Sequence, residues 1–393
     1  MKIAQVTPYF LPVEGGVERH VLNLSRGLMS RGHDVRVFTC ARTRQNELLE
    51  RSSRLEGIEV SRFDSMMRLG EFGTVWPGFA AEVARGDFDV IHAHSFRHPH
   101  TDLSMLVSKF SGSASVLTTH SPFHPSNVRG PFARALVPIY DHLVAPTTLC
   151  YFDKVISLTT EEASVLEGMG VPHNRTVVIP HGIEPRHFAS TDSLQFRQRH
   201  CLGDRDFILS LGRINRTKGL DILLEAFSKV ASELPSPVVV IAGGCTSPKE
   251  DEFLRELKAR TTKLGLEGRV VFTGRLTEDE KASALDGCAF FVLPSRYEPY
   301  GIVLLEAAAH GKALVATREG GPGSIVKEGV NGFLVPPGDA DALSQAISVL
   351  ASDSRRAVQM GERARELALQ HTWESVAEMT EAAYLSCSAG GVT

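Results

Sequence analysis

The feature that most constrains the fold is a rhythm of short apolar runs and amphipathic stretches. In the first half of the chain, strand-sized apolar runs occur at 3–7, 34–39, 58–61, 89–93, 115–119, 154–158 and 176–179. Helical patterns separate several of them, at 17–30, 101–110 and 161–168. Because the apolar runs lack strict polar–apolar alternation, they predict strands that helices cover on both faces, as in a parallel α/β sheet.

The same rhythm restarts after the segment 180–183. Strand-sized runs then occur at 207–211, 237–242, 269–273, 289–293, 313–316 and 332–335. Helical patterns follow at 220–233, 250–264, 278–285, 302–310 and 340–350. The sequence therefore predicts two doubly wound α/β domains, 1–182 and 183–373, with a ligand cleft at the carboxyl ends of their strands.

Composition and charge exclude several classes of protein. The 393 residues carry 42 Lys+Arg against 46 Asp+Glu, and a formal charge of -4 gives no reason to expect a nucleic-acid-binding surface. No apolar run reaches the roughly 18–20 residues that span a bilayer, and the N-terminal segment is too interrupted for a signal peptide. The 6 cysteines are dispersed without a CxxC pair, which indicates reduced thiols. We therefore expect a cytoplasmic globular protein.

Two glycine-containing loops are candidate phosphate-binding elements. Gly15 and Gly16 follow the first strand and open a helix, although an ordinary tight turn would have the same sequence. The segment 212–219, GRINRTKG, lies between an apolar strand and an amphipathic helix. Its cations, above all Arg213 and Lys218, suit a diphosphate, whereas a solvated charged turn is the alternative. Neither loop has the order of a dinucleotide or Walker motif.

An acidic motif at 294–307, PSRYEPYGIVLLEA, is the third candidate element. Pro299 disfavours helical geometry at Glu298, so the helix is predicted to begin near Tyr300 or Gly301. Glu306 then lies one to two turns inside an apolar helix, where a carboxylate needs polar partners. A pair of sugar hydroxyls would provide them, and a neighbouring arginine is the structural alternative.

Together these motifs resemble glycosyltransferase family 4, the retaining nucleotide-sugar enzymes of the GT-B fold. The resemblance rests on the early GG, on GRxxxxKG and on SxYEPYGxxxLEA, an E-x7-E motif. HAHS at 92–95, TTHS at 118–121, IPHGIEPRHF at 179–188 and FTGRL at 272–276 occur in the expected order. It implies two Rossmann-like domains that face each other across a cleft, with a C-terminal helix, 374–393, that rejoins the first domain.

The resemblance also implies a role for each motif residue. Arg213 and Lys218 would neutralise the donor diphosphate and stabilise the leaving group. Glu306 would accept hydrogen bonds from the ribose diol, and Glu298 would orient the transferred sugar. His120, in TTHS, would hydrogen-bond that sugar at the reaction centre. The remaining expected donor-binding residues are Gly16, Tyr300 and Gly301.

Metal ligands are not expected. The segment HAHSFRHPH has histidines at ligand-like spacing (His92, His94, His98 and His100), but HAH is habitual at this strand end in the family. Three DxD-like strings, at 87–89, 204–206 and 339–341, occupy positions before a strand, in a linker or at a helix cap. We therefore predict neither a metal nor another cofactor, only a nucleotide-sugar co-substrate such as a UDP-, GDP- or ADP-sugar.

One position departs from the family pattern. Where the family usually has GGxxE, this chain has Gly320 and Gly321 followed by Ser324 in place of the acid. Ser324 is expected to cap the next helix. Because the family's glutamate is missing here, the sequence does not indicate which nucleotide sugar the chain would prefer as donor.

The sequence thus predicts a retaining, metal-independent glycosyltransferase that transfers a sugar to an acceptor hydroxyl of a glycan, a lipid or a small molecule. A nucleotide-sugar epimerase, a phosphorylase and a non-catalytic sugar-nucleotide-binding protein are the alternatives. The arginines between 42 and 68 suggest peripheral contact with the cytosolic face of a membrane. Acidic residues interrupt this basic segment, however, and favour a surface that faces solvent. The base, the sugar, the acceptor and the oligomeric state stay open.

Overall fold

The structure is a computed structural model that describes residues 1–68, 74–120, 131–234 and 238–388, and the side chains of 131–134 and 388 lie outside that description. The chain divides into two compact units, Met1–Gly182 with Trp373–Thr393, and Ile183–Thr372. Both are α/β units built on a mainly parallel sheet, as the apolar rhythm predicted.

The first unit contains an eight-stranded sheet with the order β10-β9-β8-β7-β1-β2-β4-β3. Its strands are β1 (Lys2–Val6), β2 (Asp34–Cys40), β3 (Ser52–Leu55), β4 (Ile58–Phe63), β7 (Val90–His94), β8 (Ala114–Thr118), β9 (Lys154–Ser157) and β10 (Thr176–Val178). β5 (Met67–Arg68) and β6 (Thr74–Val75) form a separate pair. β3 alone runs antiparallel in the large sheet, and its polar sequence, SSRL, explains why no apolar run predicted it.

Seven helices of the described chain belong to this unit. They are α1 (Gly16–Ser30), α2 (Phe79–Arg85), α3 (Pro99–Ser111), α4 (Pro131–Leu143), α5 (Ala145–Tyr151), α6 (Thr160–Gly168) and α15 (Trp373–Ser388). The C-terminal helix α15 packs against α1 and against β8. Its Trp373, Val376 and Tyr384 are buried in one apolar cluster with Ile3 and Leu24.

The second unit contains a six-stranded, all-parallel sheet with the order β13-β12-β11-β14-β15-β16. Its strands are β11 (Phe207–Leu211), β12 (Val238–Ala242), β13 (Val270–Gly274), β14 (Phe290–Leu293), β15 (Ala313–Thr317) and β16 (Gly332–Val335). Its helices are α7 (Leu194–Arg199), α8 (Leu220–Val230), α9 (Pro248–Lys263), α10 (Glu278–Gly287), α11 (Ile302–Ala309), α12 (Pro322–Ile325), α13 (Ala340–Ser352) and α14 (Ser354–Ala368). Central strands such as β12 are buried along their whole length, which is why they read as unbroken apolar runs.

Each sheet has one point where the strand order reverses, and open α/β sheets bind ligands there. In the second unit this point lies between β11 and β14, and the loops that follow these strands are 212–219 and 294–301. The two loops pack closely at Gly219. Its φ is 62°, and a Cβ there would lie 1.9 Å from the carbonyl oxygen of Pro294, so only glycine fits at this contact. In the first unit the reversal lies between β1 and β7.

Candidate active site

Three cations lie in the loop after β11, and they have different surroundings. Arg216 is engaged with Glu256, 2.5 Å away, and its guanidinium lies over the Phe253 ring. Lys218 Nζ contacts Glu298 Oε2 at 2.5 Å. The exposed Arg213 side chain has neither a hydrogen bond nor an ion pair with any residue that the structure describes. Arg213 therefore offers a complete guanidinium to an anion at this edge of the sheet.

The Glu298 carboxylate is almost buried, with 10% of its side chain exposed. Besides the Lys218 ammonium it accepts a hydrogen bond from the Ser295 hydroxyl at 3.3 Å. A buried carboxylate needs such partners, because desolvation of its charge is costly. The sequence predicted both Lys218 and Glu298 as site residues, and the structure brings them together as one ion pair.

Gly320 and Gly321 bring the loop after β15 against the backbone of Glu298. The Gly321 N–H donates to the Glu298 carbonyl oxygen at 2.9 Å, and Gly320 forms a bridge with Glu298. Gly320 has a φ of 90°, and a Cβ there would lie 2.1 Å from that same carbonyl oxygen. These glycines thus allow the loop after β15 to pack against the acidic motif.

We expect Gly320→Ala to lower the free energy of unfolding by about 3 kcal/mol, because left-handed strain of about 1–3 kcal/mol adds to a clash with fixed backbone. Chemical denaturation measures the change. Gly323→Ala is the matched control, since a Cβ at Gly323 meets nothing within 4 Å. Equal stability of the two variants would contradict the role of Gly320.

The expectation that Ser324 caps the following helix is wrong. Ser324 lies inside the short helix α12, whose N-cap residue is Gly321. The Ser324 hydroxyl instead donates to the Gly321 carbonyl oxygen at 2.5 Å. Helix α12 begins at Pro322, two residues before the serine, which leaves the hydroxyl too late in the helix to cap its first N–H groups.

Glu306 is buried on α11 and has a cationic partner. Lys281 Nζ on α10 contacts Glu306 Oε1 at 2.9 Å, and His187 Nε2 lies 3.9 Å from the same oxygen. Burial lowers the pKa of Lys281, but the attraction of Glu306 and Glu278 outweighs it and leaves that pKa raised. Burial, with Lys281 as a second cause, lowers the pKa of His187 to about 4. The predicted structural alternative named an arginine, whereas the partner is Lys281, which no pattern in the sequence singles out.

The N-terminus of α11 supplies the backbone part of the site. Gly301 is its N-cap residue, and Tyr300 beside it is buried. The predicted start near Tyr300 or Gly301 agrees with the observed start at Ile302. The first turn contains no acidic side chain, and no side chain caps it. Such a helix end favours an anion.

Two predicted site residues, Gly16 and His120, belong to the first unit. Gly16 is the first residue of α1. His120 follows β8 with a φ of 58°, which is strained for a residue with a Cβ. Its Nε2 lies 3.2 Å from Nδ1 of His94, and its surface is partly exposed.

A hydrogen-bond relay connects His120 with the C-terminal helix. The Gln5 amide donates to the Tyr384 hydroxyl at 3.3 Å, and its Oε1 lies 2.6 Å from His94 Nε2. Because an amide oxygen only accepts, His94 Nε2 carries the proton and its Nδ1 accepts from His120 Nε2–H. Tyr384 also lies 2.6 Å from His92 Nδ1. The relay thus fixes the orientation of the His120 ring.

Tyr384→Phe is expected to lower the free energy of unfolding by about 1–3 kcal/mol, because it leaves buried polar atoms of Gln5 and His92 without a partner. Urea denaturation measures the loss. Tyr151→Phe, at an exposed position, should stay within about 0.5 kcal/mol of the parent chain. A Tyr384→Phe variant as stable as that control would show that the relay contributes nothing to folding.

The four histidines that looked like metal ligands in the sequence do not form one ligand group within the described residues, although the His92 and His94 rings are neighbours with centroids 4.2 Å apart. His92 belongs to the relay, His98 precedes α3, and His100 Nε2 contacts the carbonyl oxygen of His94 at 2.8 Å. His94 instead lies beside His20 and His120, and one ligand atom from each of the three lies within 4.8 Å of the others. Of the DxD-like strings, Asp339 is the N-cap of α13, as predicted.

The arginines between 42 and 68 are largely engaged by the protein itself. Arg62 is buried and donates to the Leu11 carbonyl oxygen and to the Ser53 hydroxyl, and Arg51 pairs with Asp64. Among the described residues, no helix combines the length and the apolar character needed to cross a bilayer.

Comparison with known proteins gives consistent matches over both units. The model "Glycosyltransferase Family 4" matches residues 14–187, and "Glycosyl transferases group 1" matches residues 192–367. The phosphatidyl-myo-inositol mannosyltransferase of Mycolicibacterium smegmatis is 30% identical over 396 residues, 100% of this chain and 95% of the relative. The O-antigen chain mannosyltransferase C of Escherichia coli is 29% identical over 91% of this chain and 90% of its own.

Solved structures agree on the fold. Sucrose-phosphate synthase from Thermosynechococcus elongatus superimposes with a TM-score of 0.79 at 24% identity, over 99% of this chain and 100% of the other. HepE of Anabaena in complex with UDP gives a TM-score of 0.77 at 21% identity, over 98% and 100% of the two chains.

Proposed function

This chain belongs to glycosyltransferase family 4, and we propose that it transfers a sugar from a nucleoside diphosphate sugar to an acceptor hydroxyl, with retention and without a metal ion. The matches confirm the predicted family, the GT-B fold and glycosyltransferase activity. The nucleotide donor, the stereochemistry and the metal independence are the proposed part.

The observation that carries the proposal is Arg213, which has no partner among the described residues, next to the Lys218–Glu298 ion pair. All three residues lie in the loops that follow β11 and β14, where the strand order of the second unit reverses. A guanidinium without a partner among the described residues matches a diphosphate in charge and geometry. As the bond to the sugar breaks, negative charge grows on the leaving diphosphate, and fixed cations stabilise it.

The proposed chemistry is a same-face displacement. The acceptor oxygen forms a bond to the anomeric carbon while the bond from that carbon to the diphosphate oxygen breaks. Because the acceptor attacks directly, no side chain need act as a covalent nucleophile. The acceptor proton passes to the departing diphosphate oxygen. Glu298 and His120 orient the transferred sugar, and Glu306 accepts hydrogen bonds from the ribose diol.

Backbone groups complete the proposed donor site. The N–H groups at the start of α11, near Tyr300 and Gly301, bind a phosphate oxygen. Gly16, at the start of α1, has no Cβ and so lets the backbone of this loop approach the donor closely. Neither role requires a cofactor.

The decisive experiment incubates the purified chain and EDTA with nucleotide sugars and candidate acceptors. Both relatives described above are named as mannosyltransferases, and another solved structure of HepE contains UDP-glucose, so GDP-mannose and UDP-glucose are tested first. We expect nucleoside diphosphate release with formation of a glycoside, whose anomeric coupling in NMR spectra equals that of the donor.

Each alternative gives a different result in this assay. An epimerase would yield an isomerised donor without release of nucleoside diphosphate. With inorganic phosphate added, a phosphorylase would cleave a glycan and release a sugar phosphate. A binding protein would show donor-dependent thermal stabilisation without turnover. Loss of turnover in EDTA would reject metal independence, and inverted coupling would reject retention.

Location is a separate proposal. We infer cytoplasmic location with peripheral contact at the cytosolic membrane face, because relatives named for a phosphatidylinositol acceptor act on a lipid-linked substrate. Co-sedimentation with vesicles that contain phosphatidylinositol tests this contact. A chain that stays in the supernatant at low ionic strength would contradict it.

A further inference from the structure

We propose that His20, His94 and His120 form a binding site for a divalent transition-metal ion of the zinc class, and that the bound ion inhibits sugar transfer. The binding site stands on the geometry of the first unit alone. The inhibitory effect rests on the proposed function, because it assumes that His120 contacts the donor sugar.

The three histidines come from three different elements. His20 lies in α1, His94 ends β7 and His120 follows β8. One nitrogen atom of each ring lies within 4.8 Å of the others, and the His94 and His120 atoms are 3.2 Å apart. Tetrahedral zinc with Zn–N bonds of about 2.0–2.1 Å places its nitrogen ligands about 3.4 Å apart. Two of the three ligands therefore already have the required spacing.

The surrounding hydrogen bonds prepare His94 as a ligand. Gln5 Oε1 accepts the proton of His94 Nε2, which leaves the lone pair on Nδ1, the atom that faces His120. Metal-binding histidines commonly have such a partner on the second nitrogen, since it fixes the tautomer and the ring orientation. The Gln5–Tyr384 hydrogen bond holds the amide in this orientation.

His20 provides the observation that the hydrogen-bond relay does not explain. The contact between His94 and His120 is also a normal hydrogen bond, and it accounts for those two rings without an ion. His20 is buried, and its Nδ1 has no hydrogen-bond partner in the part of the chain that the structure describes. Its ring is edge-on to His120, with centroids 4.9 Å apart. A metal ion bound through this nitrogen would give it the partner that it lacks among the described residues.

The chemistry of the ligands selects the kind of ion. Burial lowers the pKa of each of the three rings, that of His120 to about 3, so the imidazoles are neutral and keep their lone pairs. The group contains imidazoles and no carboxylate, which favours zinc, cobalt, nickel or copper over magnesium or calcium. Three protein ligands leave a fourth position open, and the partly exposed His120 lies on the accessible side.

Occupancy of this site would conflict with sugar transfer. In the relay, His120 Nε2 carries the ring proton and Nδ1 is the acceptor nitrogen. An ion bound to Nε2 requires this proton to move to Nδ1, so the nitrogen that is left to contact the donor sugar changes from an acceptor to a donor. Zinc-class ions are therefore expected to inhibit a reaction that itself requires no metal. EDTA should reverse the inhibition, whereas a metal-dependent enzyme would lose activity on chelation.

The binding test uses the full chain without an affinity tag and titrates it with cobalt(II). We expect the intense visible absorption of tetrahedral cobalt at a 1:1 ratio, and zinc should displace the cobalt. His20→Phe keeps an aromatic ring at the buried position and should weaken cobalt binding at least tenfold, and His120→Gln should do the same. His173→Ala is the control, because 93% of that side chain is exposed and it lies outside the cluster.

Several results would overturn the inference. No 1:1 cobalt spectrum in the parent chain rejects the site, as does a spectrum that both His20→Phe and His120→Gln retain. Circular dichroism shows whether each variant is folded. If His20→Phe does not fold, the cobalt spectrum of His120→Gln decides whether the site exists. In the transfer assay, zinc should inhibit the parent chain and not His20→Phe, and equal inhibition rejects the inhibitory role. A chain that binds cobalt but never transfers sugar would reject the proposed function and leave the metal site standing.

Discussion

Replacement of Arg213 with alanine is expected to lower kcat for sugar transfer by about 10²–10³-fold, the range observed when one preorganised charge-stabilising donor is lost. The guanidinium is exposed and has no partner among the described residues, so its removal breaks no contact within this part of the fold. The free energy of unfolding should therefore stay within about 0.5 kcal/mol of the parent chain. Steady-state kinetics with the donor identified in the screen, together with urea denaturation, measure both effects.

Arg216→Ala is the matched control for this prediction. Arg216 lies three residues away in the same loop, but its guanidinium is engaged with Glu256 and Phe253. We expect turnover within about twofold of the parent chain, because this guanidinium is already engaged by the protein. The fold should also be preserved, since exposed ion pairs contribute little to stability. If Arg216→Ala lost as much activity as Arg213→Ala, the loop would bind the donor through general positive charge rather than through Arg213.

The sequence predicted the α/β architecture because strands and helix starts leave their marks in residues that are close together along the chain. Buried parallel strands read as apolar runs, and Pro299 indicated where α11 begins. The polar edge strand β3 and the helices α4 and α5 were missed, because no apolar run indicated β3 and no regular pattern was recognised for the helices. The pattern of apolar residues thus reports burial more directly than it reports secondary structure.

The sequence predicted candidate site residues in the E-x7-E and GRxxxxKG motifs, but it did not predict the partners that these residues have in the fold. Lys281 contacts Glu306 from another helix, and Tyr384 reaches His92 from 292 positions away along the chain. No spacing rule connects residues that the fold alone brings together. The same limit explains the histidines, because the sequence grouped His94 with its chain neighbours while the sheet places it beside His20 and His120.

Gly320 shows how a motif can be predicted for one reason and retained for another. The sequence singled out Gly320 through the family's GGxxE pattern, and the structure shows that this glycine leaves room for the Glu298 carbonyl oxygen. The function of the loop is indirect, since it fixes the carboxylate that holds Lys218. Conformation of one loop therefore sets the charge arrangement of another.

Removal of Lys218 should have the largest combined effect on the molecule. Lys218→Ala is expected to lower kcat by about 10³-fold, because it removes a cation at the diphosphate. It should also lower the free energy of unfolding by about 3 kcal/mol, since it leaves the Glu298 charge buried without its ion-pair partner. Lys229→Ala is the control, because its pair with Asp341 is solvent-exposed and its loss should leave stability almost unchanged.

The double variant Lys218→Ala/Glu298→Ala separates the two effects. Removal of both charges eliminates the unpaired buried carboxylate, so the variant should regain most of the stability that Lys218→Ala loses. Turnover should stay at the level of the single variant or below, because neither the diphosphate contact nor the sugar contact is restored. Recovery of turnover along with stability would show that Lys218 serves only to neutralise Glu298, and the diphosphate would then depend on Arg213 and the N-terminus of α11.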